Sequence, residues 1–118
     1  MVRSKSKRKQ VIPSSGNVFA DLGFADAEER QTKLRLAYSI NQIIERRGWS
    51  QTEAARRMGL SQPGVNQAKI SALRNYRLEG FSVERLMRFL TGLDQDVQIL
   101  IRQKDRSHKT GQVVVIAA

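Results

Sequence analysis

Apolar residues recur at helical spacing through the middle of the chain. An apolar stripe with a period of about 3.6 residues predicts one long amphipathic helix, and it consists of Leu36, Ala37, Ile40, Ile43 and Ile44. We predict that this helix begins at Asp26, because Asp26 followed by Glu29 has the spacing of a capping box. Gly48 follows two arginines and predicts its end.

Shorter helical patterns follow the long helix. Ser50 and Glu53 have the S-x-x-E spacing of a capping box, and Gly59 predicts the end of that helix. A second short helix contains "AKISALRN" and directs Ile70 and Leu73 inward. Ser82 is predicted to cap a last helix, whose inward residues are Val83, Leu86, Met87, Phe89, Leu90 and Leu93.

The end of the chain has a different periodicity. "DVQILIR" alternates apolar and polar residues, and "QVVVIA" is a β-branched run, so this region predicts a β-hairpin. The fold class is therefore mainly α with a C-terminal β-hairpin. We divide the chain into a disordered basic arm (1–16), a helical domain (17–93) and the hairpin (94–118), a candidate dimerisation element.

Composition narrows the classes of function. The formal net charge of +10 favours a polyanionic partner, and the chain has no cysteine and one histidine, His108, in a polar run. No set of residues forms a catalytic centre, so we predict no enzyme, no metal and no cofactor. No apolar run approaches the roughly 18 residues of a membrane span, and the expected location is the cytoplasm.

The short capped helix, the glycine-containing turn and the following helix form a helix-turn-helix pattern. In such motifs the first helix crosses the DNA backbone and the second lies in the major groove. Glutamine there can bond adenine, and lysine can bond guanine. Between residues 46 and 88 the basic residues outnumber the acidic ones by nine to three, and this basic cluster favours DNA, although each member alone would be interpreted as part of a solvated helix face. Its members are Arg46, Arg47, Arg56, Arg57, Lys69, Arg74, Arg77, Arg85 and Arg88.

"WSQTEAARRMG" and "NQAKISALRN" resemble the helix-turn-helix of the phage-repressor/Cro (Xre) family. A wider set of segments resembles the HigA-like antitoxins of that family: "SGNVFADLGFADAEE", "SQTEAA", "KISALRN" and "RLEGFSVERLMRFLTGLDQDVQI". The resemblance implies a five-helix-type domain and a homodimer that represses its own operon at a palindromic operator. It also implies a protein partner, a co-encoded mRNA-cleaving toxin of the HigB/RelE type.

The start of the recognition helix is ambiguous because the sequence nearly repeats itself. "SQPGV" and "NQAKI" both place a glutamine after a small polar residue. With Asn66 as N-cap, Gln67 leads the helix, and the first copy becomes an enlarged turn. This register is favoured because a helix that starts at Gln62 would contain Gly64, which costs about 1 kcal/mol relative to alanine. The longer helix from Gln62 is the alternative.

Three groups of site residues follow from the favoured register and the resemblance. The predicted base contacts are Gln67, Ala68, Lys69 and Ala72. The predicted phosphate contacts are Gln51, Asn66, Arg74, Asn75 and Arg77. The predicted toxin contacts are four apolar residues in a segment expected to be irregular, Val18, Phe19, Leu22 and Phe24.

Other functions are compatible with these patterns. The first is an Xre-type transcriptional repressor with no toxin partner. Another is a protein-binding or RNA-binding module that uses the same fold. A preference for a specific duplex sequence would separate the repressor from that module.

Overall fold

The computed structural model describes residues 18–60 and 65–117 of the 118-residue chain. Within these residues four helices follow one another: α1 (Val18–Arg47), α2 (Gln51–Arg57), α3 (Val65–Arg74) and α4 (Val83–Gly92). The mainly helical class and the helix-turn-helix are confirmed. The expected five-helix count is not supported, since the described ranges contain four. The predicted basic arm (1–16) lies outside the described residues.

Helix α1 begins eight residues earlier than the capping pattern predicted. The backbone is helical from Val18, so Asp26 lies inside the helix and is not its N-cap. Ala20, Leu22 and Ala25 favour helix, and they offset the cost of about 1 kcal/mol for a glycine inside it. A capping box fixes a helix start only where the preceding backbone leaves the helix. The prediction of an irregular segment before Asp26 was therefore wrong from Val18 onward.

The contacts divide the chain into two units between Gln31 and Thr32. In the first unit, the described part is the N-terminal portion of α1. The second unit contains the rest of α1, the three shorter helices and the C-terminal segment. The helix-turn-helix lies wholly in this second unit.

Two glycines end the helices that the sequence assigned to them. Gly48 has a φ of 67°, and the next residue, Trp49, donates its backbone N–H to the carbonyl of Ile44 at 3.2 Å. Gly59 has a φ of 80°, and Leu60 N–H donates to the carbonyl of Ala55 at 2.7 Å. Both are glycine C-caps that satisfy carbonyls at the helix end. The predicted stops of α1 and α2 are confirmed.

The core of the second unit is formed by one face of each helix. The five stripe residues of α1 are all buried, as are Ile70 and Leu73 of α3. Helix α4 is capped by Ser82, whose hydroxyl accepts from Arg85 N–H at 3.1 Å, as predicted. The remaining buried apolar residues are Ala54, Met58, Leu60, Leu78, Phe81, Leu86, Phe89, Leu90 and Leu93.

The C-terminal β-hairpin is not present. Residues 95–117 contain no strand, and most of their apolar side chains are exposed, with Ile101 90% exposed and Ile116 82% exposed. Val97 and Val115 are half-buried against the core. An isolated two-stranded hairpin is marginal in water, and here few of its side chains find apolar surface. The β-branched pattern therefore does not produce a hairpin within one copy of the chain.

Across the described ranges, none of the helices has both the length and the apolar character needed to span a bilayer.

The end of α4 lies very close to the end of α2. A Cβ added at Gly92 would overlap the carbonyl oxygen of Arg57 and would lie 3.4 Å from the Cα of Met58. Both neighbours are backbone atoms, which cannot rotate away. Only glycine therefore allows these two helix ends to approach so closely.

We predict that Gly92→Ala lowers the free energy of unfolding by about 1–3 kcal/mol, because the new methyl group overpacks this contact. Helix propensity alone would give the opposite sign, a gain of up to about 1 kcal/mol. Urea unfolding followed by circular dichroism measures the difference. The control is Gly80→Ala, where the added Cβ meets no atom within 4 Å. A Gly92→Ala protein as stable as the wild type would contradict the close approach.

Candidate nucleic-acid interface

The first turn of α2 is fixed by its predicted cap. The hydroxyl of Ser50 accepts a hydrogen bond from Glu53 N–H at 3.1 Å, which is the N-cap half of the capping box. The carboxylate of Glu53 accepts from the guanidinium groups of Arg56 and Arg57. The hydrogen bond from Arg56 holds the pKa of Glu53 below its usual value. Glu53 thus partly neutralises two of the arginines counted in the basic cluster.

Arg57 connects three parts of the fold. Its guanidinium lies 4.2 Å from the centroid of the Trp49 ring, on the loop between α1 and α2. Its Nη1 is also 3.6 Å from a carboxylate oxygen of Asp94, just after α4. Such stacking over an indole is favourable, most strongly where water is excluded. Arg57 therefore holds α2 in place, a role that the sequence pattern did not reveal because its partners are distant in sequence.

Helix α3 turns one face into the core and leaves its first turn exposed. Ile70 and Leu73 are 2% and 0% exposed, whereas Gln67 and Ala68 are exposed. Helices α2 and α3 are in contact, which is the arrangement of a helix-turn-helix. This geometry presents Gln67 and Ala68 to solvent at the leading end of the second helix.

The other two predicted base contacts are less exposed. Lys69 is half-buried, and its ammonium lies 5.8 Å from the centroid of the Phe81 ring. Ala72 is half-buried and packs against the core. The positions of Lys69 and Ala72 do not test whether either residue contacts a base, so both contacts stay predictions. Of the four predicted base contacts, Gln67 and Ala68 have the most solvent-accessible positions.

The described part of α3 tests one of the two proposed starts of this helix, the one with Asn66 as N-cap. The helix is already formed at Val65, so Asn66 is a helical residue and the prediction that it is the N-cap was wrong. Gln67 is the third residue of the described helix and lies in its first turn. Gln62, the alternative leading residue, falls outside the described residues.

The predicted phosphate contacts lie near both ends of the motif. Gln51 is the exposed first residue of α2. Asn75 is exposed, and its side-chain amide donates to the carbonyl of Ser71 at 2.8 Å, while Arg77 is exposed just beyond α3. Asn66 lies in the first turn of α3. Arg74 differs from these because it is half-buried and bonded to α1.

Positive charge dominates the surface around the motif. Arg46, Arg47, Arg56 and Arg77 are exposed, and nearby carboxylates neutralise only part of this charge. One example of such pairing is Arg88 with Glu84 on α4, at 3.2 Å. A basic surface next to a solvent-exposed helix end is the electrostatic pattern of a nucleic-acid interface.

Comparisons with known proteins agree with this geometry. A family profile described as a helix-turn-helix domain matches residues 18–102. A solved structure described as an XRE family transcriptional regulator is 60% identical, with a TM-score of 0.71. The alignment covers 79% of this chain and 99% of that chain. A search of curated proteins gives no significant match.

Proposed function

Because the chain belongs to the XRE family of helix-turn-helix transcriptional regulators, we propose that it represses its own operon as a homodimer and neutralises a co-encoded toxin. XRE regulators bind DNA and are not enzymes. The observation that carries the DNA-reading part is α3, which buries Ile70 and Leu73 and leaves Gln67 and Ala68 exposed at its start.

The proposed reading of bases uses the exposed end of α3. The amide of Gln67 can form two hydrogen bonds to adenine, and the ammonium of Lys69 can bond guanine if it leaves the Phe81 ring. Ala68 and Ala72 offer methyl groups that suit the methyl group of thymine. These four residues are proposed as the direct readers of the operator sequence.

Phosphate contacts position the motif but do not read sequence. We assign this role to Gln51, Asn66, Asn75 and Arg77, which lie at the first turns of α2 and α3 and just after α3. Arg77 is the only charged member of this set. Its loss should therefore weaken binding to every duplex by a similar factor.

We expect Gln67→Ala to cost about 1–3 kcal/mol of binding free energy at the palindrome upstream of the operon, and to change the base preferred at one position of each half-site. Arg77→Ala is the matched control, because it should weaken specific and scrambled duplexes alike. Fluorescence anisotropy with both duplexes at several salt concentrations measures this. Wild-type affinity should fall by roughly a thousandfold between 50 and 200 mM salt if six or more phosphates are contacted.

If the wild type binds the scrambled duplex as tightly as the palindrome, sequence-specific repression is ruled out. A preference for single-stranded RNA would instead support the RNA-binding alternative.

The proposed homodimer rests on an unusual distribution of exposed apolar side chains. Among residues 26–60 and 67–117, the exposed large hydrophobic residues lie in two places. Six are in the C-terminal segment: Ile99, Leu100, Ile101, Val113, Val114 and Ile116. The others, Leu34, Tyr38 and Tyr76, line a shallow groove together with Val115 and Ala117.

A surface of this kind is typical of a protein interface. A two-fold dimer would also place two copies of α3 about 34 Å apart, as adjacent half-sites require. Strand pairing across the two-fold axis would join the runs of residues 97–101 and 112–117 in the two copies, which form no strand within one copy.

Ile99→Glu together with Ile101→Glu should convert the dimer into a folded monomer, since both side chains are exposed and the core does not depend on them. The matched control is Gln98→Glu with Gln103→Glu, which adds the same two charges at exposed polar positions. Sedimentation equilibrium measures the mass. A wild type that is already monomeric, or an apolar-site variant that stays dimeric, would rule out this interface.

The toxin-binding part is supported by the resemblance to HigA-like antitoxins and by the apolar composition at the start of α1. Val18, Phe19, Leu22 and Phe24 lie within the helix. Val18 and Leu22 are four residues apart, so they lie one turn apart on the same face. An apolar helix face that fits a hydrophobic groove is a common mode of protein recognition.

Alanine at Val18, Phe19, Leu22 and Phe24 should abolish protection of cells against the toxin encoded beside this chain, because the apolar contact is lost. Glu45→Ala is the control, since it truncates an exposed side chain in a later part of the same helix that belongs to neither proposed apolar surface. Growth during co-expression, and co-purification of the two proteins, are the measurements. Full protection by the four-alanine variant would show that this surface is not the toxin contact.

The alternative is an XRE-type repressor without a toxin partner. The description of the 60% identical structure as a transcriptional regulator favours it. An operon that encodes no small basic RelE-like protein beside this chain would decide for this alternative.

A further inference from the structure

Arg74 is bound to the C-terminal part of α1 through a single buried asparagine. Its Nη1 donates to the side-chain oxygen of Asn41 at 3.1 Å and to the backbone carbonyl of Asn41 at 3.3 Å. The side-chain amide nitrogen of Asn41 donates to the carbonyl of Leu73 at 3.2 Å. These bonds link one residue of α1 to two successive residues at the end of α3.

The side-chain amide of Asn41 needs hydrogen-bond partners within the protein because the residue is only 7% exposed. A buried amide that loses its hydrogen bonds keeps the full cost of its desolvation. Both of its polar atoms are satisfied only when the end of α3 is in its present position. The apolar contacts of Ile70 and Leu73 hold α3 against the core, but they do not specify its rotation as sharply as directional hydrogen bonds do.

The arginine also suits the end of a helix. The last carbonyls of a helix carry partial negative charge, and a guanidinium beside them is favourable. Arg74 is the last residue of α3 and is half-buried there. It follows Gln67 by seven residues, or about two turns, so spacing alone places it on the face that would meet DNA. Its hydrogen bonds nevertheless go to α1.

We propose that Arg74 is a positioning residue that fixes the orientation of α3 through Asn41 and makes no contact with a phosphate. This inference rests on the proposed DNA-binding function and revises one of its predicted contacts. Through Arg74 and Asn41, α1 sets the angle at which Gln67 enters the major groove. A small rotation of α3 would misplace the base contacts while leaving contacts with the phosphate backbone largely intact.

The two roles differ in their dependence on salt and on DNA sequence. Loss of one arginine–phosphate contact should lower the slope of log affinity against log salt by about 0.9, and should weaken specific and scrambled duplexes alike. Loss of a positioning contact should leave that slope unchanged and should weaken the specific duplex only. A residue that affects stability alone should change neither quantity while the protein remains folded.

The experiment compares Arg74→Ala with Arg77→Ala in the full-length chain, on the palindromic and scrambled duplexes at 20–25 °C, where both variants are shown to be folded. We expect Arg74→Ala to lose affinity for the palindrome on the order of tenfold, with its salt slope and its affinity for the scrambled duplex unchanged. Arg77→Ala should lower both affinities and the slope. If Arg74→Ala behaves like Arg77→Ala, or if it changes neither affinity, the positioning role is overturned.

Asn41→Ala and the double variant test the connection itself. Adding Arg74→Ala to Asn41→Ala should cost less affinity than Arg74→Ala costs alone, because the shared contact has already gone. Fully independent effects would contradict the proposal. If Asn41→Ala does not fold, the connection is tested instead by the nuclear magnetic resonance signal of the Asn41 side-chain amide. In the absence of DNA, this signal should have a different chemical shift in Arg74→Ala than in the wild type.

The amide signal also separates failure of this inference from failure of the proposed function. A shifted amide in a protein that has no preference for the palindrome would confirm the link between the helices and reject the DNA-binding function. An unshifted amide in a protein that prefers the palindrome would reject the inference alone.

Discussion

The burial of Ile70 and Leu73 on one side of α3 is the constraint on which the rest of the structure depends. Both side chains are almost fully removed from water, and each contributes about 1.5–3 kcal/mol when buried. Because Ile70 and Leu73 are three residues apart, they share one face of the helix, and burying this face turns Ala68 to the opposite side while Gln67 lies at its border in the first turn. Gln67 and Ala68 are then left exposed. The apolar packing of α3 is thus also what creates the surface that can meet DNA.

Hydrogen bonds and ion pairs fix the helix orientations that apolar packing alone does not specify. Asn41 and Arg74 join the end of α3 to α1, while Arg57 joins α2 to the loop before it and to Asp94 after α4. Glycine at position 92 lets the ends of α2 and α4 approach each other closely. The two helices of the motif are therefore held against different neighbours, while the first turn of α3 stays exposed.

The sequence predicted those features that depend on residues near one another in the chain. The stripe in α1, the cap at Ser50 and the stops at Gly48 and Gly59 follow from spacing alone, and the structure confirms them. The start of α1 was predicted wrongly, because a capping pattern at Asp26 cannot show whether the preceding turn is also helical.

The remaining misses concern partners that lie far apart in sequence. Arg74 was predicted to contact a phosphate, because its partner Asn41 is 33 residues away and no local sequence pattern reveals that contact. The prediction of a C-terminal hairpin failed because alternation reports only the tendency of a segment to form a strand, and residues 95–117 form none and leave most of their apolar side chains exposed. The most direct test of the central claim is the change in backbone amide chemical shifts when operator duplex is added to labelled protein. The account predicts the largest changes at Gln67, Ala68 and the first turn of α2. Changes confined to residues 95–117, with α3 unaffected, would contradict it.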